Sequence, residues 1–149
     1  MSHQTDTVKE RRDRTRPAGR GAGREAALTP VSESERLHGG ELNQAITSAL
    51  VGIHNKYLGR GPESASTFYH GNVIVTLMQG VLTRAERVLQ ETNQSEAVNQ
   101  MRHRLQETMR SDFQEAVERL SGRTVVTFIS GNSLGTDAAV EVFVLDQPV

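Results

Sequence analysis

The chain contains no cysteine, which excludes structural disulfides, thiolate zinc sites and thiol nucleophiles and is compatible with a reducing compartment. It also lacks any apolar run near the roughly 18 to 20 residues that cross a bilayer. The opening MSHQTDTVKERRDRTR is polar where a signal peptide needs an apolar segment. The expected location is therefore the cytoplasm, at most peripheral to the inner face of the membrane. Neither a phosphate-binding loop, a nucleophile elbow nor a metal-ligand cluster can be found. Motifs thus point to no cofactor, no metal and no catalytic residue.

What is present suits one domain with a tail: 149 residues, 36% hydrophobic and 23% charged. The formal net charge of -1 hides an asymmetry. Lys9, Arg11, Arg12, Arg14, Arg16, Arg20 and Arg24 crowd the front, only partly offset by Glu10, Asp13 and Glu25. Residues 1–38 are too poor in apolar side chains to form a buried stripe and read as a disordered basic tail. Such a tail either stands solvated or contacts anionic lipid or RNA, with an affinity that falls as salt rises. From Glu41 onward acidic residues outnumber basic ones, so the domain over 39–149 is not expected to present a general nucleic-acid-binding face.

Leu42, Ile46, Ala49, Leu50, Ile53 and Tyr57 recur at helical spacing, and Gly59, Gly61 and Pro62 end that helix. Ser66 to His70 and Val73 to Gln79 read as strands around a Gly71–Asn72 turn. The second of them is apolar on both faces, which predicts a sheet covered on both sides. Thr83 and Glu86 form a capping box opening a short helix to about Glu91. After TNQS a long helix carries Val98, Met101, Leu105, Met109, Phe113, Ala116, Val117 and Leu120 near one face, and Gly122 ends it. Thr124 to Ser130 and Ala139 to Leu145 read as strands joined by GNSLGTD. The expected fold is α+β: three helices on a four-stranded antiparallel sheet, in the order α-β-β-α-α-β-β. Val140, Val142 and Val144 fall on the strand face opposite Phe143 and Leu145, so the second sheet face is expected to meet the first helix or another subunit. A homodimer follows from the latter.

The tightest polar cluster is Arg60 and Glu63 among Gly59, Gly61 and Pro62. It is read either as a cradle for a carboxylate or phosphate or as a helix-ending turn with a surface ion pair. Tyr69 and His70 are adjacent but should point to opposite faces. His54 and His103 lack a second ligand at i+3 or i+4 and are read as surface or structural residues. Arg84 and Glu86, and the i, i+4 pair Arg87 and Glu91, are helix stabilisers. Asn132 and Asp137, placed in the last hairpin loop, either line a site or simply make the turn.

Taken together, YLGRGP, the hairpin running into QGVLTRAE, the long amphipathic helix and the final SGN-containing strand pair resemble the MpsC family over roughly Glu41 to Leu145. The resemblance implies a component of a sodium-translocating system that generates membrane potential, with larger membrane-protein partner subunits carrying the ion path. It transfers no catalytic residue. The expected function is an accessory or regulatory interaction module using the GRGP turn or a sheet edge. The alternatives are a small-ligand sensor or enzyme using Arg60, Tyr69, His70 or Asn132, and nucleic-acid binding through the Arg/Gly tail. The basic leader lies outside the resemblance.

Overall fold

The computed structural model describes residues 36–149. The basic tail expected over 1–38 lies, but for its last three positions, outside the described residues. Helix α1, Gly39–Leu58, buries Leu42, Ile46 and Leu50 along one stripe. It stops where Gly59, at φ 75, donates its N–H to the Asn55 carbonyl, a left-handed cap that costs glycine little. Strands β1, Ser64–His70, and β2, Val73–Gln79, form a hairpin with His70 opposite Val73. The two-residue turn between them is Gly71 and Asn72, as the sequence suggested.

Helix α2, Arg84–Glu91, opens with a reciprocal capping box between Thr83 and Glu86. Helix α3, Ser95–Ser121, closes at Gly122 in the left-handed region. Strands β3, Val125–Ser133, and β4, Ala138–Leu145, complete the expected order. The loop between them is shorter than its composition suggests, because Asn132 and Ser133 pair with Ala139 and Ala138 and extend β3. Asn132 therefore stands on a strand, while Asp137 remains in the loop.

The antiparallel sheet has the order β1-β2-β4-β3. Leu42, Ile46 and Leu50 of α1 and Met109, Phe113 and Val117 of α3 share one core with Ile74, Phe128 and Phe143 of the sheet. Each such buried side chain contributes about 1.5 to 3 kcal/mol, against the entropy of ordering the chain. Tyr57 and Lys56 of α1 both donate to the Asp112 carboxylate of α3, at 2.9 and 3.2 Å, and fix the helices side by side.

Three expectations need correction. Of the two covers expected for the second sheet face, the first helix is excluded: α1 lies beside α3 on the face of Ile74 and Phe143, and among the described residues no helix covers the face of Val75 and Val142. Met101 is solvent-exposed, because the adjacent Arg102 turns inward in its place. Arg87 reaches out of its helix to Asp137 at 3.0 Å and Glu63 at 3.6 Å, rather than along it to Glu91.

Candidate functional site

The segment between β2 and α2 is buried, with Val81 and Leu82 each 2% exposed, so its backbone polar groups need partners. Distant residues supply nearly all of them. The N–H of Gly80 donates to the Asp137 carbonyl, and those of Val81 and Leu82 both donate to Asp137 Oδ1 at 2.8 Å. The carbonyls of Gly80 and Leu82 accept from the Arg60 guanidinium, and that of Val81 accepts from Arg102. Glu86 takes the Thr83 N–H and also receives Arg102 in a two-pronged ion pair, both side chains nearly fully buried. His54 sits beside this cluster with Nδ1 donating to the Arg60 carbonyl at 3.2 Å. Burial holds its pKa below the usual histidine value, so the ring is neutral and Nε2 carries a lone pair with no partner.

A second polar feature crosses the helix-facing side of the sheet. Thr67, Thr76, Glu141 and Ser130 stand opposite one another on the four successive strands. Thr47 of α1 joins this row through the Thr67 hydroxyl at 2.7 Å, and Thr67 and Thr76 share a 2.8 Å bond. Glu141, only 2% exposed, has one carboxyl oxygen without a partner. Burial pushes its pKa up to about 8, against the weaker opposing pull of Ser130 and Arg110. The group is thus a neutral acid at pH 7.

The opposite face of the sheet has different chemistry. Its central row runs Phe68, Val75, Val142, Ile129 across all four strands. On one side of that row, Leu77 and Val140 stand between Ser66 and Gly131; on the other, Val73 and Val144 stand between His70 and Thr127. Phe68 is 56% exposed and Ile129 57%. No Asp, Glu, Lys or Arg occurs in these rows. Among the described residues, the chain's own helices leave this neutral apolar surface open.

The residues singled out from sequence fall in separate places. Gly59 to Glu63 form the α1–β1 connection at one end of β1. Arg60 there is engaged by the Gly80 and Leu82 carbonyls, and Glu63 faces Arg87, so the surface ion pair between Arg60 and Glu63 does not form. Tyr69 and His70 lie at the other end of β1 on opposite faces; the Tyr69 hydroxyl accepts the Gly39 N–H, and His70 is exposed on the open face. Asn132 shares the cross-strand row of Ala65, Met78 and Ala139, three strand steps, or about 14 Å, from β1. Sequence reasoning missed Glu141 and Arg102. Strict alternation with Phe143 and Leu145 was the available signal for the first; spacing gave none for the second.

Among the described residues, no helix is long and apolar enough to cross a membrane, and no three His, Asp or Glu side chains gather to hold a metal ion. No solved structure matches the chain. It is 28% identical over 118 residues to the uncharacterised protein YrhF of Bacillus subtilis (strain 168), covering 78% of this chain and 92% of that one. The family model described as "Na+-translocating membrane potential-generating system (MpsC)" matches residues 38–147, which is every helix and strand set out above. The chain belongs to the MpsC family.

Proposed function

We propose that this chain is a non-catalytic accessory component of a sodium-translocating, potential-generating membrane system, acting by protein contact on the cytoplasmic side. The observation that carries this reading is the open sheet face, a neutral apolar surface across four strands with Val142 near its centre. Enzymes concentrate convergent polar groups in a concave site. Here the polar side chains that converge most closely, Arg60, Arg102, Asp137 and Glu86, are occupied in holding a buried loop. In this reading the ion path belongs to other subunits, and the chain supports or regulates them.

The test removes the chain from its native cell and follows membrane potential with a voltage-sensitive dye, with and without sodium. Loss of the sodium-dependent component, restored by the wild-type chain but not by Val142→Lys, is the expected result. An unchanged potential in the deletion strain would overturn the accessory role.

A further inference from the structure

Resting on that reading of the open face as a protein contact, we propose that its occupant is a second copy of this chain, packed sheet to sheet about a two-fold axis. Three observations select this occupant. The first is charge. An anionic membrane surface or an acidic partner calls for lysine and arginine, and the open rows carry neither. A neutral face meeting its own copy brings no like charges together, which a self-complementary interface requires.

The second is the distribution of polarity. The middle row, Phe68, Val75, Val142 and Ile129, is entirely apolar. The row at one end is Ser64, Gln79, Ala138 and Ser133, and at the other end His70 and Thr127 flank two valines. An apolar centre within an uncharged polar rim is the anatomy of a protein interface. The rows of β-branched side chains also suit face-to-face sheet packing at about 10 Å.

The third is size. Four strands about 4.8 Å apart, each about seven residues of 3.3 Å, give a footprint of roughly 440 Å² per copy. Two copies cover roughly 900 Å² of flat area, and the relief of the side chains carries the accessible area to the roughly 1,000 Å² of a specific interface. A contact of this size lies at the lower end of specific protein interfaces.

The experiment is sedimentation velocity with light scattering on the full chain at micromolar concentration, repeated for Val142→Lys and Phe68→Ser. Circular dichroism confirms that each variant is folded. Phe68→Ser, at an exposed position on an edge strand, stands in should the central substitution prevent folding. The expected result is twice the monomer mass for the wild type, falling to the monomer mass in the folded variants. Because the chain lacks cysteine, Val142→Cys adds a single thiol near the axis, and a short bismaleimide should link two copies through it. A monomeric wild type overturns the dimer, as does a dimer that both folded variants leave intact. A monomer whose sodium-dependent potential is nevertheless lost in Val142→Lys would transfer the face to a different protein and leave the accessory reading standing. A dimer whose deletion leaves the potential unchanged would do the reverse.

Discussion

Arg102, in the first third of the long helix α3, inserts its guanidinium against the carboxylate of Glu86 in the first turn of α2, and both are almost wholly removed from solvent. The pair is more than a tie between two helices. Arg102 also supplies the Val81 carbonyl, and Glu86 also supplies the Thr83 N–H. Removing either partner leaves a buried charge and an unpaired backbone group. Arg102→Ala is therefore expected to lower stability by about 3 to 5 kcal/mol. Urea unfolding checks this, and a loss below 1 kcal/mol would mean that the pair is open to water.

Glu141 gives a pH dependence whose sign runs opposite to ordinary acid denaturation. Its folded pKa, about 8, lies above the usual 4.5, so between these values the native state holds a proton that the unfolded chain has released. Its contribution to stability is fully present below about pH 4.5 and is lost as pH rises through about 8. The shift corresponds to several kcal/mol. Glu141→Gln keeps the shape and removes the titration. The variant should match the wild type within about 1 kcal/mol at pH 5 and exceed it by a few kcal/mol at pH 8.5. Urea midpoints at the two pH values make the comparison, and parallel wild-type and variant profiles would show that Glu141 reaches solvent.

His54 supplies a slope of the other sign. Burial lowers its pKa below 6.5, so its contribution is present above that value and is lost as the pH falls below it. In Glu141→Gln only this histidine slope remains from the two buried groups. The variant should therefore gain stability as pH rises through 6.5, where the wild type gains less or loses.

Asp137 holds two successive N–H groups through one carboxyl oxygen, from a residue at φ 50. Asp137→Asn retains an acceptor oxygen and a side chain tolerant of that backbone. It should cost about 1 kcal/mol, chiefly through the lost charge opposite Arg87. Asp137→Ala leaves two buried donors unpaired and should cost about 2 to 4 kcal/mol. Equal losses in the two variants would show that backbone conformation rather than the acceptor is what matters there.

Gly80 adopts φ 65, and a Cβ on it would stand 2.5 Å from the Glu63 side chain. Gly80→Ala is expected to cost about 1 to 2 kcal/mol from the left-handed backbone alone. The steric part should shrink but not vanish when Glu63→Ala is added, because that change removes the two atoms at 2.5 Å and keeps the Cβ at 2.7 Å. Thermal unfolding of the single and double variants measures that reduction.

Local chemistry made much of the architecture readable. Gly59, Gly71 and Gly122 stand where positive φ was needed, and the Thr83–Glu86 box opens α2 as a T-x-x-E pattern should. What escaped was long-range. Arg102 occupies a helical position where a charge is normally solvated, and only the distant Glu86 and Val81 make its burial favourable. Arg60 was noticed for its charge, yet its guanidinium serves carbonyls some twenty residues along the chain, which no spacing rule reports. The two apolar sides of β2 were legible as well, but whether the second side meets a helix or a partner depends on where α1 packs. Periodicity alone does not contain that choice.

The two central strands, β2 and β4, come from opposite halves of the domain, while each outer strand is the hairpin neighbour of an inner one. Each half-sheet can close over a short turn, but the ladder joining them must wait for a loop that includes both α2 and α3. Loop closure of this kind dominates the search, placing folding among the slower mixed α/β domains. Helix α3 shortens the gap when formed, so substitutions that lower its helicity should slow refolding even where they touch none of the sheet.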